Sequence, residues 1–301
     1  MWFHEYRTEK ARNGQSIELV LYRKRAGMPR PGEAAPPVLF LVHGSSMSAL
    51  TSFDLVVPGA GEYSKMNVFA RAGFDVWTMD HEGYGKSART EGNSDIASGV
   101  EDLRAAMAVV ERETGQSRCH FMGDSSGALR AAAYAVAEPQ RVGRMVLTAL
   151  TYTGKGSSTL AKRAEQVDYF RTHHRRLRDR AMIESIFTRD KPGTTDPAVP
   201  AAVADMELVH GDTIPTGTYL DMTAHLPVVD PAKIAAPVAV VRGEYDGIAS
   251  MEDLLDFFGK LPNGDKQFIV IAGAAHALGT CRQRHAFWHA AHAFLTMPGA
   301  A

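Results

Sequence analysis

The five residues Gly123-Asp124-Ser125-Ser126-Gly127 constrain this chain more than any other feature. They follow the apolar run Cys119-His120-Phe121-Met122 and lead into the Ala-rich stretch from Ala128 to Ala137, a pattern that predicts a strand, a sharp turn and a helix. Glycines two before and two after the serine permit such a turn, because a larger side chain at either place would meet the neighbouring strand or helix. Ser125 then stands exposed at the turn. A serine hydroxyl is a poor nucleophile at neutral pH, so chemistry there needs a base to take its proton and backbone N–H groups to receive an oxyanion. The five-residue pattern is weak by itself, since serine also favours an ordinary helix N-cap. Its weight rests on the strand-turn-helix context and on partners elsewhere in the chain.

Those partners follow downstream in the order Ser, acid, His. Val238-Ala239-Val240-Val241-Arg242 is a β-branched run, and Gly243-Glu244-Tyr245-Asp246-Gly247 places Asp246 on the loop just beyond it. Phe268-Ile269-Val270-Ile271 predicts another strand, followed by Ala272-Gly273-Ala274-Ala275-His276. In open α/β sheets, catalytic groups gather at the carboxyl ends of strands, where Ser125, Asp246 and His276 all fall. Glu244 is a nearby rival for the acid. Thr151-Tyr152-Thr153-Gly154, after the sixth strand, offers no carboxylate at all.

The rest of the chain alternates strand and helix patterns. Phe3 to Thr8 and Ile17 to Arg23 predict a hairpin around Arg12-Asn13-Gly14-Gln15, and Pro29 to Pro37 is a stiff connector. Residues 45–62 are Ser- and Gly-rich without a period, a loop expected to border the site. A short helix around Met66 to Ala70 and a strand from Asp75 to Asp80 come next. Val100, Leu103, Met107 and Val110 recur at helical spacing within Ser94 to Thr114, and a strand runs from Met145 to Leu150. Such alternation implies a mainly parallel sheet with helices on both faces. Residues 152–232 break it and look helical, so the division expected is a core of 1–151 and 233–301 with a cap of 152–232.

Several of these stretches resemble the α/β-hydrolase fold family. Leu39-Phe40-Leu41-Val42-His43-Gly44 resembles the family's strand ending in His-Gly, and Asp80-His81-Glu82-Gly83-Tyr84-Gly85-Lys86-Ser87 its Asp-x-x-Gly-x-Gly-x-Ser turn, usually structural at its Asp. The resemblance implies an eight-stranded, mainly parallel sheet with a helical cap inserted after strand 6. It also implies Ser125 as nucleophile, His276 as base, Asp246 as acid, and the N–H groups of Ser45 and Ser126 as the oxyanion hole. Members that use an aspartate in place of this serine, the epoxide hydrolases and haloalkane dehalogenases, are disfavoured. Ser126 departs from the hydrophobic residue often seen after the nucleophile in ring-fission hydrolases and perhydrolases. The activity expected is hydrolysis of a carboxylic ester of a small or medium-sized, in some cases acidic, organic molecule. The alternatives are a C–C bond hydrolase of ring-fission products, an amidase or lactonase, a thioesterase, or a non-enzymatic ligand receptor on the same fold.

Charge and composition narrow the partners. With 33 basic against 34 acidic residues the net charge is −1, which offers no electrostatic reason to expect nucleic acid or a membrane surface. The expected partner is a small-molecule substrate, with no cofactor; the oligomeric state stays open. The start of the chain shows no secretory pattern, and its two cysteines cannot form a disulfide framework, so a cytoplasmic location is expected. His285, His289 and His292 share one face of the last predicted helix but lack an accompanying carboxylate motif, so no metal is expected. Within the expected cap, Arg171, Arg175, Arg176, Arg178 and Arg180 form the densest charge cluster. Such a run is usually a solvated face; the sharper expectation is that one of the five turns inward to hold a substrate carboxylate.

Overall fold

A computed structural model describes residues 1–298 of the chain. Strands β1 (Trp2–Arg12) and β2 (Gln15–Arg25) form an antiparallel hairpin. Its Asn13-Gly14 turn has φ of 50° and 75°, the left-handed values that a two-residue hairpin requires. Next come β3 (Val38–Val42), β4 (Asp75–Asp80), β5 (Cys119–Asp124) and β6 (Val142–Thr148). After a long excursion in which β7 (Arg175–Leu177) and β8 (Thr213–Pro215) pair only with each other, β9 (Val238–Gly243) and β10 (Lys266–Ile271) complete the sheet. The eight strands lie in the order β1-β2-β4-β3-β5-β6-β9-β10, parallel from β4 onward. This is the α/β-hydrolase architecture.

Helices cover both faces because neighbouring strand residues point to opposite sides. In β5, Phe121 joins a core with Leu103, Met107 and Tyr134, while Met122 joins one with Phe69, Phe287 and Phe294. The helix Ile96–Thr114 starts where Asp95 accepts from the Ser98 N–H and ends at Gly115, whose φ of 71° suits glycine. It buries Val100, Leu103, Met107 and Val110, the residues at helical spacing. Each large apolar side chain withdrawn from water in this way stabilises the fold by roughly 1.5–3 kcal/mol. No helix among the described residues is long and apolar enough to cross a membrane.

Between β6 and β9 lie the helices Ser158–Ala164, Val167–Thr172, Arg180–Thr188 and Ala198–Leu208. The segment is not purely helical, as its composition suggests. His173 leaves its helix with extended backbone, and the β7–β8 ribbon follows, ending at Pro215, which has no N–H to extend a ladder. Ile183, Ile186, Phe187, Val199 and Val203 from this segment pack with Leu55, Val57 and Tyr63 of the loop after β3. The segment is thereby seated over the carboxyl ends of the strands.

Asp80 ties that loop to the sheet. Its carboxylate accepts from the Ala49 N–H at 2.8 Å, the Lys86 N–H at 2.9 Å and the Tyr22 hydroxyl at 2.7 Å. Only glycine fits at position 85, since a Cβ there would lie within 2.5 Å of all three outer atoms of that carboxyl group. Replacing Asp80 by Ala leaves two amides and a phenol unsatisfied, so the Asp80→Ala protein should be less stable by about 3 kcal/mol in urea unfolding. Tyr22→Phe, which removes one neutral partner, should cost roughly 1 kcal/mol.

Candidate active site

The turn after β5 is built as its glycines imply. Ser125 has φ 58° and ψ −123°, a conformation that L side chains rarely adopt. The ladder holds it there: the Ser125 N–H donates to Thr148 O at 2.8 Å, and its carbonyl accepts from Ala128 N–H at 2.9 Å. A Cβ at Gly127 would stand 2.1 Å from the Val42 carbonyl oxygen, and one at Gly123 would stand 2.5 Å from that of Gly127. A buried clamp lies beside the turn. The Asp124 carboxylate is ion-paired with Lys65 and accepts from the Thr148 hydroxyl at 2.6 Å, while the Lys65 ammonium rests over the Phe53 ring.

Asp246 and His276 meet across the ends of β9 and β10. The two loops are laced by Tyr245 N–H to Ala274 O at 2.9 Å and Glu244 N–H to Ile271 O at 3.1 Å. The Arg242 guanidinium holds the Asp246 carbonyl at 3.0 Å. Asp246 Oδ1 lies 2.9 Å from His276 Nδ1 and accepts from the Ile248 N–H at 3.0 Å. Burial drives its carboxyl upward, but His276, the Ile248 amide and Arg189 outweigh this and hold it below the ordinary carboxylate value. Glu244 is exposed, and its carboxylate accepts from the Gly273 N–H instead. With Nδ1 engaged, Nε2 is the ring nitrogen left for a second partner. Ser125 and His276 line one cavity.

Ser45 lines this cavity and Ser126 follows Ser125 at the turn, and among the described residues neither backbone N–H donates to a protein acceptor. Their side chains face one another: Ser45 Oγ donates to Ser126 Oγ and accepts from Thr218 Oγ1, both at 2.8 Å. The Tyr84 hydroxyl donates to the Ser45 carbonyl at 2.9 Å. Thr218 comes from the segment over the sheet, so that segment helps hold the loop carrying the Ser45 amide.

None of Arg171, Arg175, Arg176, Arg178 and Arg180 lines this cavity. Arg178 is 2% exposed and bound to Glu207 and the Gly211 carbonyl, and Glu207 in turn accepts from Ser48 N–H and hydroxyl. Arg175 donates to Thr213, Arg176 lies over Tyr219, and Arg171 and Arg180 are surface partners of Asp168 and Asp205. The run is divided among a helix end, a strand and a helix start, so it presents no single inward face. Two other arginines line the cavity, Arg163 and Arg189. Burial first, then the like charge of Arg189, lowers the Arg163 guanidinium to about 10, which leaves it charged at neutral pH. Its Nη1 is shut from solvent and has no partner among the described residues. The histidines of the last helix make aromatic contacts, His285 with Trp288 and His292 with Phe74.

Comparison with known proteins agrees with this architecture. The profile of the family described as serine aminopeptidase S33 (Hydrolase_4) matches residues 55–280. A 2-hydroxy-6-oxononadienedioate/2-hydroxy-6-oxononatrienedioate hydrolase of Burkholderia vietnamiensis is 25% identical over 260 residues, 81% of this chain and 79% of that protein. Among solved structures, the enol-lactonase from Burkholderia xenovorans LB400 superposes with a TM-score of 0.66 at 19% identity, covering 96% of this chain and all of the other. E-2-(acetamidomethylene)succinate hydrolase superposes with a TM-score of 0.70 at 18% identity, covering 98% of this chain and all of that one.

If His276 serves Ser125, His276→Ala should lower kcat by about 10⁴-fold, and Asp246→Asn should also cause a large loss by removing the charge partner of the ring. Because its partners hold Asp246 below the ordinary carboxylate value, protonation of Asp246 should not set the acid limb of kcat/KM. A near-normal rate for Asp246→Asn in steady-state assays would remove Asp246 from this role.

Proposed function

Since the chain belongs to the serine aminopeptidase S33 family of α/β-hydrolases, we propose that it hydrolyses a carboxylate-bearing oxo acid, of the unsaturated dicarboxylate kind named for its relatives. The observation that carries this reading is the pair of guanidinium side chains, Arg163 and Arg189, lining the cavity shared by Ser125 and His276. Two guanidiniums on one cavity wall suit a substrate carboxylate. This moves the substrate away from a simple neutral ester toward C–C or enol-lactone cleavage. These two arginines belong to the segment over the sheet but are not among the five named from the sequence.

On a 6-oxo dienedioate, Ser125 Oγ attacks the 6-oxo carbon as its proton passes to His276. The oxyanion sits against the Ser45 and Ser126 amides. Cleavage requires the keto tautomer, formed as the 2-hydroxyl loses its proton and carbon 5 gains one; collapse then breaks the bond from carbon 6 to carbon 5, and the departing electron pair is delocalised through the 3,4 double bond onto the 2-oxo group. A proton from His276 completes that product. Water, deprotonated by His276, then releases the acyl group from Ser125 as a carboxylate. An ester or enol lactone follows the same course with oxygen as the leaving atom.

The test is consumption of 2-hydroxy-6-oxononadienedioate, followed by loss of its conjugated-chromophore absorbance, beside a neutral aryl ester. The dicarboxylate should be turned over with the higher kcat/KM. In Arg163→Met the ratio of acidic to neutral kcat/KM should fall by about one to two orders of magnitude, as expected for a charge-assisted hydrogen bond of roughly 1.5–3 kcal/mol. An unchanged ratio would show that Arg163 does not hold a substrate anion.

A further inference from the structure

Asp190 follows the helix Arg180–Thr188 of the segment over the sheet, and its carboxylate reaches the pair below. One ligating atom each from Asp190, Asp246 and His276 lie within 4.8 Å of one another. The Asp190 side chain is only 5% exposed, and the residue Asp246 only 4%. Among the described residues, Oδ2 of each has no hydrogen-bond partner. Glycine at 247 admits this approach, since a Cβ there would lie 2.8 Å from Asp190 Oδ1. A blander role is partner to Arg189, but that Nε–Oδ1 contact is long, at 3.7 Å.

We propose that Asp190 is a positioning residue for His276, a second carboxylate that the segment over the sheet brings to the imidazole. The inference rests on Ser125, His276 and Asp246 carrying the chemistry. As Oγ bonds to the acyl carbon, its proton passes to His276, and the new positive charge lies near two carboxylates instead of one. An opposite charge at this range favours the charged ring. The other charged groups around the cavity are Arg189 and Arg163 from the overlying segment, and Lys65 with Asp124 beside the turn. The two arginines oppose a charged imidazole, and Lys65 is ion-paired with Asp124. Asp190 is therefore a carboxylate beside the ring that offsets the two cavity arginines. Activation of Ser125 is thereby strongest when this segment is seated.

The experiment is the rate at which a fluorophosphonate modifies Ser125 across pH in the unsubstituted protein, Asp190→Asn and Asp190→Glu, with thermal unfolding measured on each. It needs His276 but no knowledge of the substrate. In Asp190→Asn the plateau rate should fall about tenfold and the acid limb should move to lower pH by about one unit, because the ring loses a counter-charge. Asp190→Glu should recover much of both. A profile for Asp190→Asn that superimposes on the unsubstituted one overturns the inference, as does a slower rate with an unmoved limb in both variants. If Ser125 does not react in the unsubstituted protein, the site reading itself falls, a distinct outcome.

Discussion

The backbone of Ser125 is the constraint on which the site depends. A non-glycine residue at φ 58° persists only where its surroundings over-determine it, and here they do. The Ser125 amide is held by the end of β6, two glycines let the following helix lie against β3 and β5, and the Lys65–Asp124–Thr148 clamp fixes the residue before it. The strain is local and its support is not. It draws on three adjacent strands, β3, β5 and β6, at the centre of the sheet.

The segment between β6 and β9 contributes more than a cover. Arg178 and Glu207 form a buried ion pair whose remaining carboxylate oxygen holds the Ser48 amide and hydroxyl, and Thr218 holds the Ser45 hydroxyl. Both contacts act on the loop that carries the Ser45 N–H. Breaking one partner of such a pair would leave the other charged and buried, which is more costly than never having built it. The two arginines that line the cavity, Arg163 and Arg189, come from this same segment. The cavity's arginines and the contacts that hold the Ser45 loop thus belong to one piece of structure.

What was legible in the chain was local. The Asn13-Gly14 hairpin, the helix ending at Gly115 and the turn around Ser125 each carry their signal within a few residues, and strand ends place Asp246 near His276. Lys65, Arg163, Arg189 and Asp190 carry no such signal. Each lies in a polar stretch that reads as surface, Arg163 beside Lys162 and Arg189 and Asp190 beside Lys191, and is brought to the cavity or to the Asp246–His276 pair by packing between distant parts of the chain. The arginine run from 171 to 180 misled for the converse reason. Its density suggested one face, but His173 breaks the helix and β7 turns alternate side chains apart, so the most buried arginine of the run, Arg178, serves a structural ion pair. Charge density along a sequence reports composition; which charge turns inward is a property of the fold.

The central claim is that the strained turn, the Asp246–His276 pair and the two free amides form one reactive centre. A crystal structure of the protein after reaction with a fluorophosphonate tests it most directly. The account predicts phosphorus bonded to Ser125 Oγ, with the phosphoryl oxygen within hydrogen-bond distance of the Ser45 and Ser126 N–H groups and His276 still paired with Asp246. An adduct on another side chain, or a phosphoryl oxygen turned away from both amides, would contradict it.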